Sequence, residues 1–401
     1  MKLAACTIVS KNYIAYAKTW AQSMRLNSPN IELFVLIVDK ILEADSFLYG
    51  DDYKIIGVQE LGIERFDSIS FKYSILELNT NVKPSFLRYL INTKGAKKVI
   101  YFDPDIYVYG NTSWIYDLLD DHSFALTPHI LLPIKDSRRP SEQDHLRTGV
   151  FNLGFIAVGS DDQSMEMLEW WSDRCLNLAY NDNRDGIFVD QKWLDLAPGL
   201  FSRCKIIRDV GCNVAYWNLQ ERVLGFNMEG VLLVNGDTKL TFFHFSGLVA
   251  SNLNAISKHQ DRFTLECRPD LVKIFSSYWA DLCKNGYERH IKIKYTFGTF
   301  SNGKGISDLA RRIYSISTYL NDETCNPFDV KSRFYRRNFW RNVLISQSLN
   351  LSLNSRTYSR LSLSVIAINK IFGLVKFILG PDRYWQFCKY LSYISVLRNQ
   401  K

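Results

Sequence analysis

The run Val99-Ile-Tyr-Phe-Asp103-Pro-Asp105-Ile-Tyr-Val108 sets two carboxylates two residues apart, directly after a stretch of apolar and aromatic side chains. With apolar residues on both sides, it reads as a buried strand ending in a tight corner. The competing picture is a surface turn, with Asp103 making an Asx turn and Asp105 facing water. Two carboxylates at this spacing can reach one hard divalent cation. Oxygen ligands suit Mg²⁺ or Mn²⁺, which keep positions open for phosphate oxygens. A bare Asp-x-Asp is common, so its weight comes from its surroundings.

Upstream of the corner, Leu3 to Val9 is an apolar strand, and Tyr13 to Leu26 follows as a helix with Ala15, Trp20 and Met24 on its apolar side. Glu32 to Val38 is a second strand, set off by Pro29. Pro84 suits the first turn of a helix ending near Gly95, and Lys98 to Phe102 runs from there into Asp103. Downstream, Phe151 to Val158 and Leu240 to Phe245 are strand-like, and Asp161 to Tyr180 is a long amphipathic helix opened by Ser160. This alternation predicts an α/β fold, a mixed sheet flanked by helices. In such sheets ligands gather at the carboxyl ends of strands. Leu132 to Arg147, with Pro133 and Pro140, reads as a long surface loop, and Tyr287 to Gly305, rich in Tyr, Phe and Gly, as a connector.

At 401 residues the chain exceeds one ordinary core, and 47% hydrophobic with 22% charged residues excludes disorder. The most apolar stretch, Leu361 to Gly380, is interrupted by Asn369, Lys370 and Lys376, against a membrane span. The opening Met-Lys-Leu-Ala-Ala-Cys is too short for a lipoprotein signal core. Eight cysteines without a Cys-x-x-Cys pair form neither a disulfide framework nor a zinc module, which predicts a cytoplasmic protein with reduced thiols. The net charge of +8 is unevenly spread: from Val330 onward thirteen Lys or Arg face the single acid Asp382, leaving −4 for the rest. Residues 1–285 are expected to form a catalytic domain, 286–329 a connector, and 330–401 a basic, mainly helical region.

That basic region has three readings. It can be a set of solvated helix faces, or a nucleic-acid surface where cations meet aromatics around Phe334 to Trp340. The third, which we favour over packing alone and over nucleic acid, is a peripheral contact with an anionic membrane surface on its cytoplasmic side. Val365, Ile366, Ile368, Ile371, Phe372 and Val375, with cations at 370 and 376, suit an interfacial helix.

The order of motifs over residues 1 to 250 resembles the GT-A glycosyltransferases, in particular the bacterial family 8 α-glycosyltransferases. Thr7-Ile-Val-Ser-Lys-Asn-Tyr13 resembles their first strand and loop, which implies that Thr7, Ile8, Asn12 and Tyr13 hold the nucleotide base. Ser85-Phe-Leu-Arg88 resembles the helix whose arginine reaches the donor. Phe151-Asn152-Leu-Gly154 resembles the segment that contacts the donor sugar, and Val189-Asp190-Gln191 the Asp-Gln pair beside the reacting carbon. Phe243-His244-Phe-Ser-Gly247 is similar to the His-x-x-Gly element, whose histidine is the third metal ligand beside Asp103 and Asp105. The resemblance implies a Mn²⁺- or Mg²⁺-dependent enzyme. Its donor would be a nucleotide sugar, UDP-linked, and its acceptor a glycan or lipid-linked oligosaccharide in surface polysaccharide synthesis. Retention of configuration is implied by analogy.

Two departures stand out. The lysine that follows the family's His-x-x-Gly is here Ala250, with Lys258 or Arg262 as substitutes, and Ser10 stands where an acid often contacts the base. Each residue also has a plainer role. Arg88 can pair with an acid on its own helix, and His244 can pack among Phe242, Phe243 and Phe245. Asn152 can cap a turn, Asp190 can start a helix, and Tyr13 can pack in the core. A nucleotidyltransferase would also set carboxylates and a cation around a nucleotide, but Val9 to Tyr13 lacks the glycine-rich loop it needs. A non-catalytic binding protein on the same fold is the other alternative.

Overall fold

A computed structural model describes residues 2–252, 254–315, 326–336 and 363–394. The chain forms two compact units: Met1–Phe66 with Ile75–Gly298, and Asp67–Ser74 with Thr299–Lys401. The connector expected from residue 286 thus begins inside the first unit, which runs on to Gly298.

The first unit is built on a seven-stranded mixed sheet. Its strands are β1 (Leu3–Val9), β2 (Glu32–Ile37), β3 (Lys54–Gly57), β4 (Lys98–Phe102), β6 (Phe124–Pro128), β7 (Phe151–Val158) and β10 (Cys204–Ile206), in the order β10-β6-β7-β4-β1-β2-β3. β7 runs antiparallel to both its neighbours, β4 and β6, whereas β1 pairs in parallel with β2 and β4. β1 and β4 are central and nearly continuous in apolar residues, as strands covered on both faces must be. One face packs Ile100 and Phe102 of β4 against Trp20 of helix α1 (Ile14–Asn27). Tyr101, alternating to the other face, meets helix α4 (Lys83–Asn92), which carries a proline in its first turn as expected.

A short second sheet fixes the site. β5 (Ile106–Val108) follows the Asp-Pro-Asp corner and pairs antiparallel with β15 (Phe242–His244), setting His244 opposite Ile106. β15 pairs in parallel with β11 (Val214–Ala215). The strand predicted over residues 240–245 is thus shorter than expected, because its ends leave β5 and turn into loops. The stretch expected to be only loop, Leu132 to Arg147, contains helix α6 (Glu142–Thr148). Ser141 caps it by accepting from Asp144 N, while the Asp144 carboxylate accepts from Ser141 N at 2.9 Å. Helix α7 (Asp162–Asn177) is capped by Asp161, whose carboxylate accepts from Ser164 N, rather than opened by Ser160.

The second unit has its own aromatic core of Phe71, Phe300, Tyr314 and Phe334. Phe71 lies on helix α2 (Phe66–Lys72), far back in the chain. Buried Arg311 donates to the carbonyls of Ser70, Phe71 and Tyr73 at 3.2, 2.7 and 2.7 Å, satisfying groups that a helix end leaves open. The helix Leu363–Ile394 breaks at Gly380, whose φ is +75°, before Pro381. It leaves Phe377, Ile378 and Trp385 exposed. Among the described residues no helix is long and apolar enough to cross a membrane. Of the proposed interfacial stripe, Ile371, Phe372 and Val375 are described; the side chains at 365, 366 and 368, and all of 337–362 and 395–401, lie outside the described residues, as does most of the cationic-aromatic run after Phe334.

Candidate active site

The corner after β4 is held by its backbone. Asp103 N donates to Gly154 O at 2.7 Å, and Ile106 N closes the turn onto Asp103 O at 3.0 Å. Phe245 N donates to Asp105 O at 2.9 Å, locking β15 alongside. The result brings His244 Nε2 to 2.9 Å from Asp105 Oδ1 and 3.8 Å from Asp103 Oδ2. One ligand atom from each of the three residues lies within 4.8 Å of the others. Burial pushes the His244 pKa down, but the charges of Asp105 and Asp103 outweigh it and raise the pKa overall. Two carboxylate oxygens and one imidazole nitrogen converging on one place are a donor set that fits Mn²⁺ or Mg²⁺.

Gly154 makes this convergence possible. A Cβ there would stand 2.4 Å from His244 Cε1 and 2.8 Å from Nδ1, so only glycine lets β7 pass behind the imidazole. Gly247 has φ +74°, and a Cβ on it would meet His259 Cδ2 and Ser257 Oγ at 2.5 Å. Lys258 N donates to Gly247 O at 2.9 Å. This close approach accompanies the placement of Lys258 and His259 in the lining of a cavity of about 380 Å³.

The three candidate ligands line that cavity, and so do Ile8, Ser10, Asn12, Tyr13 and Asn79. Tyr13 is part-exposed and stacks on Tyr16 with ring centroids 4.7 Å apart and planes 16° apart. An exposed aromatic face beside amides is a platform for a flat heteroaromatic ring. Asn79 Nδ2 donates to Ser10 Oγ at 2.8 Å, so the serine standing in place of an acid is itself held in position.

Behind Tyr101 lies a buried ion pair that motif reading missed. Lys83 Nζ is 2.7 Å from Asp190 Oδ2, donates to Leu153 O at 2.7 Å, and sits 4.3 Å from the Tyr101 ring centroid. Both side chains are only 2% exposed. Burial raises the Asp190 carboxyl to about 6, with Lys83 opposing the rise. The residue before it, Val189, has φ +42°, a conformation that costs a β-branched residue of order 1–3 kcal/mol. That strain is retained where the chain turns Asp190 towards Lys83.

The remaining residues fall into two groups. Asn152 and Gln191 are buried in a hydrogen-bond network and do not line the cavity. Asn152 Oδ1 accepts from Gly154 N at 3.2 Å and Asn213 Nδ2 at 3.0 Å. Gln191 accepts from Leu153 N at 3.0 Å and donates to Thr148 O at 2.9 Å, so its amide crosslinks β7 to the end of α6. Thr7 and Arg88 do not line the cavity: Thr7 is fully buried in β1. Arg88 is five residues beyond Lys83, about 140° around the helix and ~7.5 Å along it, so the two cations leave α4 on different faces. Of the two proposed substitutes for the missing lysine, Lys258 reaches the cavity. Arg262 is held by Asp136 at 2.8 and 2.9 Å and ties down the loop before α6.

Three candidate cation ligands and an aromatic ring beside amides line one cavity, an arrangement that suits a flat group joined to an anionic one. The chain matches no protein-family model. It is 27% identical over 264 residues to the uncharacterized protein YfnF of Bacillus subtilis (strain 168), covering 64% of this chain and 86% of that one. With the uncharacterized YfnD of the same organism it shares 25% over 245 residues, 60% of this chain and 76% of the other. Solved structures to which it is similar include the galactosyltransferase LgtC with donor and acceptor sugar analogs, at TM-score 0.43 and 16% identity over 69% of this chain and 95% of that one. Another is the glycosyltransferase GlyE of Streptococcus pneumoniae TIGR4, at TM-score 0.40 and 16% identity over 75% and 67%.

Proposed function

We propose that the chain is a metal-dependent glycosyltransferase of the GT-A type. It would move a sugar from a UDP-linked donor to a glycan or lipid-linked oligosaccharide, in the making of a bacterial surface polysaccharide, with retention of configuration. The observation that carries this reading is the meeting of Asp103, Asp105 and His244 in the wall of a cavity that Tyr13 and Asn79 also line. A nucleoside diphosphate has the matching parts: a base to stack, and a diphosphate to reach the cation.

Breaking the bond between sugar and diphosphate leaves negative charge on the departing nucleotide. Asp103, Asp105 and His244 would hold Mn²⁺ or Mg²⁺, which when bound supplies Lewis-acid stabilisation of that charge. Lys258, which also lines the cavity, would add a second positive charge. Asp190 is our candidate for the sugar's side of the reaction. Its carboxylate, fixed by Lys83 beside Tyr101 of the cavity lining, would favour a carbon that becomes oxocarbenium-like once the donor is bound. Gln191, the second catalytic candidate, also holds β7 against the end of α6.

The exposed Phe377, Ile378 and Trp385, among Lys376, Arg383 and Lys389, suit peripheral attachment to an anionic membrane, where lipid-linked acceptors lie. The first test is calorimetry of UDP binding with and without Mn²⁺, followed by hydrolysis of a panel of nucleotide sugars. The reading expects UDP to bind at least roughly tenfold more tightly with Mn²⁺, and at least one UDP-sugar to be cleaved. UDP binding with no hydrolysis of any sugar nucleotide would favour a binding protein, and no UDP binding would refute the proposal.

A further inference from the structure

We propose that Tyr101 is a positioning residue of the metal site, its hydroxyl fixing one oxygen of Asp103 so that the other faces Asp105 and His244. The inference rests on the metal reading above and extends it to a residue outside the three ligands. Tyr101 Oη donates to Asp103 Oδ1 at 2.6 Å. It is the other oxygen, Oδ2, that lies 3.8 Å from His244 Nε2. Positions 101 and 103 are two apart on an extended chain, so their side chains emerge on the same side.

The donor is rigidly placed. Tyr101 is 2% exposed, sits in the central strand β4 between β1 and β7, and has Lys83 against its ring. The hydroxyl therefore owes its place to the sheet and not to a flexible side chain. A neutral donor also suits the task. A lysine or arginine at this point would neutralise Asp103 and compete with a metal ion for its charge, whereas a phenol orients the carboxylate and leaves it anionic.

Packing alone does not call for the hydroxyl. On the opposite face of the same strand, where no carboxylate waits, the neighbouring residue is Phe102, fully buried against Phe155 and Phe242. Asp103 held through one oxygen would ligate through the other alone, leaving more of the coordination sphere to phosphate oxygens.

The test is Tyr101→Phe, with Mn²⁺ titrated by calorimetry into wild type and variant and thermal melts run without metal. Mn²⁺ affinity should fall about 10–100-fold, the usual effect of removing a partner that orients a ligand. In an Asp103→Asn background the same substitution should have no further effect on Mn²⁺ affinity, which a merely structural role would not predict. Equal Mn²⁺ affinity in wild type and Tyr101→Phe, within about twofold, would overturn the role of Tyr101 while leaving the metal site intact. So would an undiminished effect in the Asp103→Asn background. Failure of the wild type itself to bind Mn²⁺ would overturn the metal reading and this inference with it.

Discussion

Lys83→Met removes the cation from the buried pair and leaves Asp190 without its partner. Both side chains are 2% exposed, so water cannot replace the lost charge. Breaking such a pair from one side costs about 3–5 kcal/mol. For a unit of about 290 residues, melting entropy is of order 0.6 kcal/mol per degree, which puts the loss at about 5–8 °C. The cost should depend on pH. Burial already raises Asp190 to about 6 with Lys83 present, and without that cation the carboxyl moves higher still. A raised acid holds its proton more tightly in the folded state than in the unfolded chain. Its contribution to stability is therefore full below the unfolded value of about 4 and is lost as pH rises through the folded one. The difference between variant and wild type should be largest near pH 8 and shrink towards pH 5. Lys83→Met with Asp190→Leu leaves no charge behind and should recover most of the stability, but not the activity. Thermal melts of the three variants at pH 5 and 8 measure this. A pH-independent difference below about 1 kcal/mol would refute the argument, since it would mean that water reaches the pair.

Asp103→Ala or Asp105→Ala should lower transfer by at least about 100-fold at saturating Mn²⁺ with little change in melting, because Lewis-acid stabilisation is worth several kcal/mol; near-normal turnover in either would remove that residue from the metal site. Mn²⁺ affinity should weaken as pH falls through the His244 pKa, which the two carboxylates hold above the ordinary imidazole value. His244→Gln should flatten that dependence, and identical pH curves would show that the imidazole is not a ligand. Gly154→Ala adds only a methyl group, yet it should weaken Mn²⁺ binding roughly tenfold or more, because the methyl must displace His244. Full-length protein should float with phosphatidylglycerol vesicles at low salt and less so near 0.15 M, where screening acts over about 8 Å. A chain ending at residue 362 should stay down while still hydrolysing donor, and flotation unaffected by that deletion would exclude the helix Leu363–Ile394 as the attachment point.

The strands around the metal corner were legible because buried strands are written as apolar runs, and Asp103 and Asp105 follow one such run directly. His244 could be proposed from its motif, but its distance from Asp105 depends on the register of β15 on β5, which is a long-range pairing. The two cations of α4 show where local pattern runs out. Lys83 and Arg88 look equally placed on the helix, and only the packing of α4 over Tyr101 buries the first with Asp190. Arg88 carried the motif resemblance and is not in the cavity wall. Helix α6 was readable in principle, since Ser141 followed by an acid three residues on is a capping signal, but the prolines around it argued for loop. Nothing in Asp67–Ser74 announces that it leaves the first unit, because Phe71 and Tyr73 would suit either core.

That excursion has a consequence for how the protein is made. Asp67–Ser74 leaves the ribosome early, flanked by segments of the first unit, while its packing partners Phe300, Tyr314 and Phe334 are not yet synthesised. At about 5–20 residues per second, more than 200 residues separate the two events by roughly 10–50 s. For that interval Phe71 lacks its aromatic neighbours, and the carbonyls of Ser70, Phe71 and Tyr73 lack the guanidinium of Arg311. The nascent chain thus carries an uncovered apolar segment immediately ahead of Ile75, whose helix lines the cavity. Chains cut short between residues 75 and 299 would lack the aromatic partners of Phe71 permanently and should be more prone to association than the finished chain.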